Sequence, residues 1–154
     1  MPVIRDPSAI AARRGTIYPA PFRDGFDGRL KRALGNACGL TQFGVNLTTL
    51  EPGAVSALRH WHTSEDEFIY MLDGELTLES DDGVDILVPG MAAGFPAGAA
   101  NAHRLVNHGA APATYLEVGT RSSADTVVYP HDDLHASREA GTTTFLRKSG
   151  EPYE

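Results

Sequence analysis

HWHTSEDEFIYMLDG, running from His60 to Gly74, sets two histidines one residue apart, crowds Glu65, Asp66 and Glu67 behind a short polar gap, and ends an alternating run on Asp-Gly. In extended backbone alternate residues face the same way, so His60 and His62 project together while Trp61 points to the other side. Thr63 to Asp66 then read as the turn out of this strand, and Glu67 opens a partner strand, EFIYML, whose first inward residue sits opposite the two imidazoles. The alternative is a plain strand followed by an acidic turn, because an H-x-H pair alone often occurs by chance.

The surrounding text repeats the β pattern of that stretch. Runs at Thr41 to Leu50, Ala54 to His62, Glu67 to Leu72, Glu75 to Ser80, Val84 to Val88, Ala102 to Asn107 and Ala113 to Thr120 are separated by turn signals such as Glu51-Pro-Gly, Asp73-Gly74, Asp82-Gly83 and Pro89-Gly90. The Asp-Gly pairs suit tight turns with positive φ and predict antiparallel hairpins between adjacent runs. Seven strands with no amphipathic helix between them predict an all-β, antiparallel double sheet.

The flanks are less regular. Pro2, Pro7, Pro19 and Pro21 leave room only for a short helix around Ser8 to Arg14, so residues 1–40 read as an irregular arm. Residues 41–120 hold the strand pattern. Residues 121–154 form a C-terminal extension in which VVYP, a polar stretch through His135, and TTTFLRK as a last strand can be discerned. All three parts read as one domain, since 154 residues suffice for one core and no linker divides them.

Composition excludes several classes of partner. A net charge of -7 with no Lys/Arg cluster larger than Arg13-Arg14 or Arg147-Lys148 disfavours nucleic acid and anionic membrane surfaces. No run of about 18 apolar residues could cross a bilayer, and no secretory leader is evident, which makes the cytoplasm the expected location. Cys38 is the single cysteine, so no internal disulfide can form, and a small buried thiol is expected there.

A third histidine is wanted opposite the pair, and His103, opening AHRLVN after the loop FPAGAANA, is the natural choice. Three neutral imidazoles and one carboxylate from Glu67 suit one divalent ion of Mn, Fe, Ni, Co or Zn and leave coordination positions open to a small substrate. Ile69, Met71 and Leu105 would wall the site against water.

Order and spacing carry a resemblance. PGAVSALRHWHTSEDEFIYMLDG and GMAAGFPAGAANAHRLVN resemble the two signature motifs of the cupin superfamily, with six residues rather than five after Gly53 and four rather than two between Gly98 and His103. The resemblance implies a small jelly-roll barrel, an antiparallel double-stranded β-helix, in which His60, His62, Glu67 and His103 bind the metal. Further phrases, HRLVNHGAAPATYLEVGTR, VVYPHDDL and TFLRKSGEPY, are similar to those of small single-domain bacterial cupins described as sugar phosphate isomerases. The implied function is a metal-dependent isomerase, acting on a sugar or sugar phosphate, or a dioxygenase; the competing reading is a non-catalytic small-ligand binding or sensory cupin.

The remaining residues are read more plainly. The cations nearest the motifs are Arg59, Arg104 and Arg121, and strand alternation turns the first two away from the metal. Glu65 and Asp66 read as solvated turn residues, and His108, His131 and His135 as solvated histidines. Trp61 is expected to pack, and Asn107 to brace a loop. The stretch from Tyr18 to Phe22 reads as an extended arm able to cover a neighbouring subunit's edge strand, which would make a homodimer.

Overall fold

Strand after strand pairs antiparallel, and the computed structural model describes residues 1–139 and 141–153 of the chain. The strands are β1 (Arg13–Arg14), β2 (Arg29–Arg32), β3 (Phe43–Leu50), β4 (Trp61–His62), β5 (Glu67–Asp73), β6 (Leu76–Ser80) and β7 (Gly83–Leu87). They continue with β8 (Ala92–Phe95), β9 (Arg104–Val106), β10 (Ala113–Thr120), β11 (Ala124–Tyr129), β12 (Leu134–Glu139) and β13 (Thr142–Leu146), and the one α-helical turn among the described residues is α1 (Leu34–Ala37). The fold is all-β, as the spacing of turn signals predicts.

One sheet runs β1-β2-β3-β10-β5-β8; the opposing side is built from β13-β12-β11-β4 and β7-β6-β9. Isolated bridges between His60 and His103 and between Val55 and Val106 stitch these two smaller sheets together. Leu50, Ile69, Met71 and Tyr115 from the large sheet pack against Leu76, Leu78, Leu87 and Leu105 from the small one. A second core gathers Tyr18, Phe26, Tyr129, Leu134 and Ala136 beneath the C-terminal strands. Burial of these side chains, each contributing about 1.5–3 kcal/mol, holds the sheets face to face.

Several local expectations change. Ala54 to Arg59 is not strand: Ser56 Oγ takes the Leu105 N–H at 2.9 Å, so a side chain replaces the backbone partner a ladder would use. Gly74 and Gly90 do not close hairpins, because β5 and β8 lie in the large sheet whereas β6 and β7 lie in a small one. Both glycines instead carry the chain across the sandwich, Gly74 at φ 74° against the backbone of Pro112 and Ala113. Gly83 does serve a hairpin, β6–β7.

The flanks are also more ordered than the prolines suggest. β1 and β2 extend the large sheet beside β3, and Tyr18 is buried, so the arm covers an edge of its own chain. The short helix expected around Ser8 to Arg14 is a single 3-10 turn at Pro7–Ala9, capped by the Asp6 side chain. The polar stretch around His135 is β12, paired on both sides. Cys38 is half-buried at the end of α1 rather than in the core. Asn107 braces its loop, donating to Leu50 O and Ala111 O and accepting from Gly109 N–H. No helix among the described residues is long and apolar enough to cross a membrane.

Candidate metal centre

Backbone pairing brings the four expected residues together. His60 and His103 exchange both backbone hydrogen bonds, at 3.2 and 2.9 Å, which sets their side chains on one face. His62 follows on β4, opposite Val127 of β11, and Glu67 enters from the first position of β5. Around Glu67 Oε2 lie His103 Nε2 at 3.0 Å, His60 Nε2 at 3.5 Å and His62 Nε2 at 3.6 Å. Donor atoms of His60, His62 and Glu67 all fall within 4.8 Å of one another.

The outer ring nitrogens explain why the inner ones converge. His60 Nδ1 lies 2.8 Å from Leu58 O, and His103 Nδ1 lies 3.2 Å from Asn101 O. His62 Nδ1 lies 2.6 Å from Asp125 Oδ2. A carbonyl or carboxylate oxygen only accepts, so each Nδ1 is the donor there, which turns each Nε2 towards Glu67 and the centre, where a cation would take the place of any Nε2 proton. Three imidazole nitrogens and a carboxylate oxygen thus converge on one point. The donor set is the nitrogen and oxygen mixture that divalent first-row ions take.

The same groups are coupled electrostatically. Burial alone would raise the Glu67 carboxyl, yet hydrogen bonds from His103 and His60 hold it well below the usual carboxylate range. Burial also pulls on His60, but the facing Glu67 outweighs it and raises the imidazole. Phe95 lies flat on the His103 ring, with centroids 3.6 Å apart and planes 5° from parallel, and fixes its orientation.

Two acidic residues have roles that adjacency in sequence hid. Asp125 is buried, and besides His62 it accepts Ser64 N–H at 2.8 Å, locking the turn that follows the histidine pair. Glu65 is not solvated: it is 5% exposed, accepts Ser122 N–H at 2.8 Å and pairs with Arg138 at 3.1 Å. Nothing in the histidine spacing points to Asp125, since it arrives from β11, some sixty residues on. Asp66 is exposed and accepts Ala97 N–H at 2.7 Å, steadying the loop before His103.

The centre opens into a cavity of about 280 Å³. Ile69 and Leu105 line it as expected, joined by Phe95, Tyr18, Tyr115 and Tyr129, whereas Met71 is sealed in the core behind. Its cations are Arg13, Arg29, Lys31 and Arg138, none of them adjacent to the motifs. Arg59 pairs with Asp81 and Arg104 with Glu79, so both face elsewhere, whereas Arg121, bonded to Asn36 and Leu40 O, lines an adjoining pocket that His62, Glu67 and Glu117 also border. His108 and His131 are exposed, and His135 is half-buried on β12 away from the cavity wall.

Residues 46–119 match the family model described as Cupin domain. Over the whole chain, the fold is similar to a sugar phosphate isomerase from a cupin superfamily of Silicibacter pomeroyi, with a TM-score of 0.92 and 46% identity over 97% of this chain and 95% of that one. A protein of Acidithiobacillus ferrooxidans provisionally described as a sugar phosphate isomerase is 33% identical over 79% of this chain and 77% of that one, with a TM-score of 0.73. The polyketide cyclase RemF of Streptomyces resistomycificus shares the fold at 23% identity, covering 78% and 80% of the two chains with a TM-score of 0.63. No curated protein matches the chain.

Proposed function

This chain belongs to the cupin family, and on that premise we propose that it is a metal-dependent isomerase of a small sugar or sugar phosphate, with His60, His62, Glu67 and His103 as the ligands of one divalent ion. One observation carries the reading: three Nε2 atoms and one carboxylate oxygen point at a common centre on the wall of a cavity, with every Nδ1 engaged elsewhere. The isomerase class draws its support from the Silicibacter pomeroyi protein, at 46% identity. A dioxygenase would use the same donor set and is the reading the test below separates.

A divalent ion bound here supplies Lewis acidity towards the carbonyl and neighbouring hydroxyl of a substrate. The chain supplies position and dryness. Leu58 O, Asn101 O and Asp125 fix the three imidazoles, and Ile69, Leu105 and Phe95 keep water from the reacting end. Tyr18, Tyr115 and Tyr129 hold their protons, because burial raises all three, and so present neutral hydroxyls to substrate oxygens.

Glu117 is the wall carboxylate free of the histidines and the one we assign to hold or move a proton. It sits on β10 opposite Ile69, two residues from Gly119, whose strand partner is Glu67, and it lines the same cavity. Lys31 and Asn46 orient it through hydrogen bonds to Oε1.

The experiment is a comparison of protein stripped of metal with protein reconstituted with each candidate ion. Reconstitution is expected to give about one equivalent of metal and metal-dependent interconversion of an aldose with its ketose, read by NMR across a panel of free and phosphorylated sugars. Oxygen uptake without isomerisation would assign the dioxygenase class instead. Failure to retain even a tenth of an equivalent, in round terms, would remove the metal centre altogether.

A further inference from the structure

Arg29 is 9% exposed, lines the cavity and has no carboxylate partner among the described residues. Its Nη1 donates to Gly15 O at 3.0 Å, which ties the β1–β2 hairpin together, but its Nε reaches no hydrogen-bond partner. A buried guanidinium left without an anion is costly, and such groups are ordinarily paired.

Arg13 compounds the imbalance. It pairs in register with Lys31, two residues from Arg29 on the same strand, so the hairpin turns three cations into one cavity. The acidic groups of that wall are already committed: Glu67 to the histidines, Asp125 to His62, and Glu117 to Lys31. Arg138, the fourth cation, is held by Glu65. Arg29, buried, and Arg13, exposed at the rim, are therefore left without a carboxylate partner among the described residues. The hairpin that carries them precedes residues 46–119, so this charge is an addition to the part of the chain that matches the family.

We propose that Arg13 and Arg29 form an anion subsite that receives the phosphoryl group of a phosphorylated substrate while its sugar oxygens face the histidine centre. The charge arithmetic selects a phosphoryl group over a monocarboxylate: a phosphate ester carries about -1.5 to -2 at neutral pH, which balances two guanidinium ions. Guanidinium forks also match phosphate oxygens two at a time. The subsite rests on the isomerase reading only for which molecule bears the phosphoryl group, because anion binding by Arg13 and Arg29 requires no metal.

The test is calorimetric titration of the full chain with inorganic phosphate, in metal-free and metal-reconstituted forms. Saturable binding is expected in both, weakened about tenfold to a hundredfold in Arg29→Met and in Arg13→Met, and unchanged in Arg59→Met, whose partner Asp81 lies outside the cavity. His62→Ala, with its ligand set broken, is expected to bind phosphate as the metal-free parent does; that separates loss of the subsite from loss of the metal centre. Equal affinity in parent and both cavity variants, or no saturable binding by the parent, overturns the proposal. Acetate binding more tightly than phosphate overturns the phosphoryl assignment. Should Arg29→Met fail to fold by thermal melting, Arg13→Met and Arg29→Lys decide the question, since Lys keeps the charge but loses the fork.

Discussion

Asp125 Oδ2 stands 2.6 Å from His62 Nδ1, joining a buried carboxylate on β11 to the histidine that β4 presents to the cavity. The pair fixes the ring's tautomer and makes its Nε2 a better donor. Asp125→Asn keeps the shape but gives up the charge. Metal affinity is expected to fall about 10- to 100-fold while the melting curve shifts little, as competition with a chelating dye would measure. Unchanged affinity would mean that Asp125 serves only the Ser64 turn.

His62→Ala removes a donor rather than orienting one. Metal content after reconstitution and desalting is expected to drop below about a tenth of an equivalent, and Glu67→Gln should do nearly the same because it removes the only charged ligand. Elemental analysis of parent and variants prepared together checks this. Retention of a full equivalent by either variant would contradict the ligand assignment.

The all-β class and the placing of His60, His62 and Glu67 together were legible in the sequence because both follow from local rules: alternation places the H-x-H pair on one face, and the strand-start position of Glu67 aims it inward. His103 joins them through a bridge to His60 across 43 residues, and it was reached from the motif resemblance and its place at the start of a β-prone run. Asp125, Glu65 and the cavity cations were not legible, since each owes its place to pairing across long separations. Arg29 meets the site only because β2 adds to β3, and proline-rich text gives no hint of that addition. Gly74 was read as a hairpin turn because Asp-Gly looks the same whether the chain doubles back or crosses between sheets.

Gly74→Ala tests that crossing. At φ 74° a Cβ would stand 2.7 Å from Ala113 Cα and 2.8 Å from Pro112 O, so backbone must move as well as adopt a conformation that side chains disfavour. A loss of about 2–4 kcal/mol is expected from strain and overpacking together, measured by chemical denaturation. Gly83→Ala, with open space around its site, is expected to lose less.

Alkaline stability should be governed by the buried tyrosines. Burial raises Tyr18, Tyr115 and Tyr129, so the folded chain keeps protons that the unfolded chain releases above about pH 10. Because the folded state then binds more protons, stability falls as pH rises, by as much as about 1.4 kcal/mol per pH unit for each tyrosine. Between about pH 10 and 12 the sum is comparable with the whole stability of a small domain, and cooperative unfolding is expected. Tyrosinate absorbance and circular dichroism should therefore change together, and Tyr115→Phe should flatten the decline by one tyrosine's share. A gradual rise in absorbance with the fold intact would show that these hydroxyls titrate in place, contrary to their burial between the sheets.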